Sequence, residues 1–177
     1  IALQIHDRDA HEDVVATLLR VGAPERTVFH CFSGDVELAT FLKEHGWYAS
    51  FAGTVTFKKN QSLRDALALL PKELILVETD APFLTPEPYR GRPNSPYLIP
   101  ITVRKMAEVR GLSEDEMAEQ LTKNTEAVYG DMNYYGNSFG YARNAQESHV
   151  WDASFIKLRE VAINYSFPMD PAGSIKG

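Results

Sequence analysis

The chain is constrained most by one recurring unit: a short β-type apolar run followed by a loop and an amphipathic segment. The runs are Ala2-Leu3-Gln4-Ile5-His6, Thr27-Val28-Phe29-His30, Tyr48-Ala49-Ser50-Phe51-Ala52-Gly53 and Leu74-Ile75-Leu76-Val77-Glu78-Thr79-Asp80. Successive run ends lie roughly 25 residues apart, about one strand–helix–strand repeat, and (β/α)₈ barrels keep their chemistry at the C-terminal ends of such strands. Three of the four ends are His6, His30 and Asp80. Two imidazoles and a carboxylate converging there suit a hydrolytic metal site. Singly, each of the three also fits a buried or capping side chain; the reading rests on the set.

The intervening segments have helical periodicity. Val14, Val15, Leu18 and Leu19 share one face of a segment from His11 to Val21, stopped by Gly22, Ala23 and Pro24. Leu38, Phe41 and Leu42 do the same between Asp35 and His45, before Gly46. Leu63, Leu67 and Leu70 follow, with Pro71 as the stop. Three strand–loop–helix units predict an α/β fold with a parallel sheet covered by helices. After Asp80 a Pro-rich loop from Ala81 to Pro96 leads to two further helices. The first carries Ile99, Val103 and Met106 on one stripe. The second opens on the capping box Ser113-Glu114-Asp115-Glu116 and closes at Gly130.

Composition excludes several classes. The formal charge of −6 disfavours a broadly basic nucleic-acid groove, while leaving room for a local basic loop. Cys31 is the sole cysteine, so no internal disulfide forms. Without a signal peptide or a run of about 18 apolar residues, the expectation is a soluble, cytoplasmic chain. At 177 residues the chain is shorter than the roughly 250 of a full barrel, and it opens inside a strand without an initiator Met. It is therefore expected to be a fragment.

The local chemistry sharpens the ligand set. Imidazole at a strand end offers one nitrogen to a metal while its other N–H is held by an acceptor, and Asp7 or Asp9 is in place to serve His6. His11 reads as a surface residue at a helix start. Arg8 suits a phosphate or a carboxylate. Ser33-Gly34 after His30 allows a sharp turn, and the helix start beyond it is a potential anion site. Cys31 reads as packing rather than as a nucleophile. Glu78 and Asp80, closing an apolar run, are costly unless paired or bound to metal. Asp80 also suits the role of proton acceptor from an attacking water, or simply a turn cap before Ala81-Pro82. Arg90 and Arg92 sit on a Gly/Pro framework and their forks suit phosphate oxygens.

At these residues the chain resembles the TatD-type metal-dependent deoxyribonucleases. The motifs that carry the likeness are Ile5-His6-Asp7-Arg8-Asp9-Ala10-His11, His30-Cys31-Phe32-Ser33-Gly34 and Val77-Glu78-Thr79-Asp80-Ala81-Pro82-Phe83-Leu84. Arg90-Gly91-Arg92-Pro93-Asn94-Ser95-Pro96 and Asn124-Thr125-Glu126-Ala127-Val128-Tyr129-Gly130 complete it, over residues 1–130. The resemblance implies the C-terminal half of a TIM-type (β/α)₈ barrel, four parallel strands with their helices. It implies divalent metal ions (Mg, Mn or Zn) and DNA as substrate. His6, His30 and Asp80 would be metal ligands, Asp80 also the catalytic base, and Arg8, Arg90 and Arg92 substrate contacts. The family pattern further includes a His-x-His pair and a Glu on strands earlier than those present here. Slight or no activity is thus expected of this chain, with a non-catalytic half-barrel as the alternative. Such a half-barrel would self-associate through exposed sheet edges or take up a complementary N-terminal half.

Residues 131–177 differ in texture. The segment from Asp131 to Ala145 is rich in Asn, Tyr and Gly, and Val161-Ala162-Ile163-Asn164-Tyr165-Ser166-Phe167 alternates as a strand does. Trp151 to Val161, running on to Pro168, resembles a late strand of TonB-dependent outer-membrane receptors. A single strand cannot span a membrane, so no transport function follows. The tail is expected to be foreign to the barrel or disordered, and a membrane role driven by it is a distant third class.

Overall fold

A computed structural model of the chain describes residues 2–130. The strand expected at 161–167 and the receptor-like resemblance of 131–177 lie outside the described residues. The sheet holds four parallel strands in sequence order, β1 (Leu3–His6), β2 (Thr27–His30), β3 (Tyr48–Phe51) and β4 (Ile75–Val77). Helices α1 (His11–Val21), α2 (Val36–His45) and α3 (Gln61–Leu69) make the crossovers, and α4 (Ile99–Arg110) and α5 (Glu114–Tyr129) follow β4. The α/β expectation is met, with helices covering one side of a parallel sheet.

The strand register divides the side chains between two faces. Ile5, Phe29, Ala49 and Ile75 occupy one rung, and with Phe51 they face the helices. Leu38 and Leu42 of α2, Leu63 and Leu67 of α3, Met106 of α4 and Met117 and Leu121 of α5 close over them in a single core. Phe29, Phe51, Leu42, Leu67 and Met106 are at most 1% exposed. Each such side chain contributes about 1.5–3 kcal/mol on leaving water, which is where the unit draws its stability. The opposite face carries Gln4, His6, Val28, His30, Ser50 and Leu76. There the apolar cluster is small, Val28 and Leu76 meeting Val128 from the last turn of α5.

Polar anchors fix the helices. Asn124, buried in α5, donates from Nδ2 to the carbonyls of Lys72 (2.6 Å) and Ile75 (2.7 Å), tying α5 to the start of β4. Arg110 Nη1 donates to the carbonyls of Leu67, Ala68 and Leu70, closing the open end of α3. The capping box at Ser113 and Glu116 forms as expected.

Four expectations are corrected. Leu19 is 55% exposed, because α1 rests on the sheet through Val14, Val15 and Leu18 only. Gly34 has no left-handed backbone; it is glycine because a Cβ would stand 2.5 Å from Leu38 Cδ2 and 2.8 Å from Phe32 Cζ. The start of α2 is capped, since Asp35 accepts the N–H groups of Glu37 and Leu38, so an anion there would meet a carboxylate on two of the donors it needs. Finally, β4 ends at Val77, so Asp80 stands beyond the strand rather than on its last residue. Among the described residues no helix is long and apolar enough to cross a membrane.

Candidate metal centre

His6 and His30 are register partners at the ends of β1 and β2. Parallel pairing therefore stands their rings side by side, with centroids 5.7 Å apart. Beyond β4 the chain continues as Glu78, whose N–H donates to the Phe51 carbonyl (3.0 Å), and then turns at Asp80, where φ is +53°. That turn brings Asp80 back over the sheet end, with Oδ1 at 3.8 Å from His30 Nε2. Glu78 Oε1 lies 2.7 Å from His30 Nδ1. One ligand atom from each of His30, Glu78 and Asp80 falls within 4.8 Å of the others.

The loop that carries Asp80 is held by Asn94. This buried side chain donates to the carbonyls of Thr79 and Phe83, each at 2.7 Å, while its own N–H donates to the Pro82 carbonyl. The loop also runs tight against Gly53, where a Cβ would meet the Leu84 carbonyl oxygen at 2.1 Å. A side chain at position 53 would push the Asp80 loop off the end of β3.

A cleft of about 740 Å³ opens here, lined by His6, Arg8, Asp9, Cys31, Asp80 and Leu84 among others. Four non-glycine residues among those described have left-handed backbone: Asp9, Cys31, Asp80 and Leu84. All four line this cleft. Such conformations cost of order 1–3 kcal/mol each and persist where the surroundings enforce them, commonly at functional sites. The local field is negative. Burial first, then the charges of Glu78 and Asp80, push the Cys31 thiol up to about 12, with Arg8 opposing. In the metal-free chain Cys31 is thus a neutral thiol at neutral pH rather than a nucleophile.

The residues present fit a divalent cation. Glu78 Oε1 is buried, and despite its closeness to His30 it is not aligned for a hydrogen bond, so it is left without a partner. A buried, unpaired carboxylate oxygen beside an imidazole and a second carboxylate is costly unless positive charge compensates it. The nitrogen and oxygen donors suit Zn, Mn or Mg rather than a soft metal.

The sequence-level residues do not all converge. His6, Arg8 and Asp80 share the cleft, and His30 reaches it from the inner side of Asp80, in a second opening lined by Gln4, Ser50, Glu78 and Tyr129. Arg90 and Arg92 line neither opening. Arg90 instead stacks over the Phe57 ring, 4.2 Å from its centroid, and the Arg92 carbonyl accepts the Thr85 hydroxyl. Their motif holds the loop in shape in this structure. Asp7 is likewise engaged elsewhere, accepting the Ala10 N–H and contacting His11 Nδ1, so it does not hold His6. Glu78, 2.7 Å from His30, is the site residue that the sequence marks as costly but does not place. A charged residue directly after Ile75-Leu76-Val77 was the available signal.

A family model described as "TatD related DNase" matches residues 1–130. The chain belongs to the TatD family. TatD relatives include an uncharacterized metal-dependent hydrolase, TatD, of Mycobacterium tuberculosis, 45% identical over 128 residues that make up 72% of this chain and 48% of the relative. Another is the uncharacterized metal-dependent hydrolase YcfH of Escherichia coli K12, 40% identical over 121 residues, 68% of this chain and 46% of the relative. The crystal structure of the TatD homolog YJJV from Escherichia coli superposes with a TM-score of 0.69 at 30% identity, covering 74% of this chain and 51% of that one. This TatD chain thus spans about half the length of the curated relatives it matches, and its four strands and helices are those of a TIM-type barrel.

Proposed function

We infer that residues 1–130 belong to a metal-dependent hydrolase that cleaves phosphodiester bonds in DNA. The supporting observation is the grouping of ligand atoms of His30, Glu78 and Asp80 at one sheet end, with the His6 ring 5.7 Å from that of His30. The DNA specificity follows the name of the matching family model. His6, His30 and Asp80 would hold the cation, with Glu78 beside them. When bound, a divalent cation supplies Lewis-acid activation of water and of a phosphoryl oxygen. Asp80, one-third exposed at the cleft, accepts the proton that the attacking water loses as the P–O bond breaks. Arg8 meets the phosphate from the cleft wall. Arg90, drawn off Phe57, and Arg92 would meet the strand farther out.

Nuclease assays with Mg²⁺, Mn²⁺ or Zn²⁺, comparing the chain with Asp80→Asn, test this reading. The expected result is metal-dependent cleavage reduced at least about 100-fold in the variant. Equal activity in both would remove Asp80 from the mechanism, and no metal-dependent cleavage at all would remove DNA hydrolysis from this chain. Deleting 131–177 is expected to leave metal uptake unchanged, because the family match ends at residue 130.

A second reading is favoured by the sheet itself: β1 and β4 each have one edge unpaired among the described residues. Open edges template further pairing, so the chain would associate with itself or with a complementary half-barrel. Light scattering after size exclusion discriminates, since a monodisperse monomer counts against association.

A further inference from the structure

We propose that Glu78 is a positioning residue that fixes the tautomer of His30, holding the proton on Nδ1 and presenting bare Nε2 toward Asp80. The two carboxylates flank one imidazole at its two nitrogens, Glu78 Oε1 at 2.7 Å from Nδ1 and Asp80 Oδ1 at 3.8 Å from Nε2. These distances set different roles. At 2.7 Å there is room for a shared proton and none for an ion between the atoms. At 3.8 Å two ligands of one cation can stand on either side of it.

The Glu78 carboxylate is itself pinned. Its Oε2 accepts the Cys31 backbone N–H at 3.1 Å. That N–H points at Glu78 because Cys31 takes a left-handed backbone, φ +48°, directly after the ligand. Glu78 is also anchored through its own N–H to the Phe51 carbonyl. The remaining oxygen, Oε1, is buried with no hydrogen-bond partner, and His30 Nδ1 is the donor beside it. Nδ1–H brought into line with Oε1 would give that oxygen its donor. This completes a carboxylate–imidazole arrangement of the kind that orients ligating histidines and raises their basicity. The strained backbone at Cys31 then has a purpose: it aims an amide at the carboxylate that aims the imidazole.

The consequence for metal uptake rests on the hydrolase reading above; the tautomer itself does not. The test is two-dimensional ¹H–¹⁵N long-range NMR on the metal-free full chain, with Glu78→Ala and Glu78→Gln alongside. Wild type is expected to carry its His30 proton on Nδ1, a form that a free histidine side chain disfavours. Glu78→Ala should shift the ring toward Nε2–H, and Glu78→Gln should do the same, because the Cys31 N–H claims its one amide oxygen and its NH2 then faces Nδ1. Zn²⁺ titration should then show affinity reduced about 10–100-fold in Glu78→Ala, without rescue in Glu78→Gln. The visible bands of bound Co²⁺ should be unchanged in both. An Nε2–H tautomer in wild type, or a tautomer indifferent to Glu78→Ala, overturns the proposal. Altered Co²⁺ bands in Glu78→Ala would overturn it in favour of direct ligation. Glu78-dependent tautomer selection in a wild type that takes up no metal supports the positioning role and sinks the hydrolase reading instead.

Discussion

The two faces of the sheet are built on opposite principles. The helix-facing side presents Phe29, Ala49, Phe51 and Ile75 to a continuous apolar core, and it is filled to exclusion of water. The opposite side has a small apolar patch at Val28, Leu76 and Val128 and becomes polar toward the strand ends, at His30, Ser50 and Glu78. The first side gains stability from each side chain. The second retains strained backbone at Asp9, Cys31, Asp80 and Leu84, together with an unpaired buried carboxylate oxygen. The difference teaches that the helix-covered core sustains an arrangement at the sheet ends that would not persist alone.

This contrast makes separable predictions. Phe51→Ala, on the helix-facing side, is expected to cost about 3–5 kcal/mol, read by urea unfolding, with Zn²⁺ stoichiometry of the folded fraction unchanged. His30→Ala, on the other side, should do the reverse. Metal affinity falls at least about 100-fold, near 2.7 kcal/mol, while the urea midpoint barely moves; a large loss of stability would break the contrast. Asn124→Ala leaves the carbonyls of Lys72 and Ile75 without their donor and should cost about 2 kcal/mol, read in the same unfolding experiment.

The smallest effect is expected at the surface. Hydrogen bonds from the Ser113 backbone and hydroxyl hold the Glu116 carboxyl below its ordinary range. A depressed carboxyl contributes stability that is complete above its unfolded pKa and is lost as pH falls through the folded value. Ser113→Ala should therefore lower Tm by a few degrees at pH 7, and the gap to wild type should narrow in scans below about pH 4.

Much of this was legible in the residues. The runs ending at His6 and His30 foretold two neighbouring strands, and parallel pairing in register puts equivalent ends side by side. The 3.6-residue spacing of Leu63, Leu67 and Leu70 foretold a buried face, and all three are buried. Ser113 and Glu116 foretold their cap, because capping is a matter of four consecutive residues. Arg90 reads in sequence as a phosphate fork, since an arginine carries no mark there of the ring that will claim it. Asp7 was offered to His6, yet the turn into α1 gives it to Ala10 and His11.

By itself, then, the sequence determined the repeat, the parallel α/β architecture and the covered face. These follow from period, propensity and spacing, all local along the chain. Only the tertiary structure decided that Glu78 stands against His30, that Asn94 holds the Asp80 loop and that Gly53 must lack a side chain beneath it. Those contacts join residues distant in sequence at separations of a few ångströms, and they arise from loops whose course is set by packing rather than by periodicity.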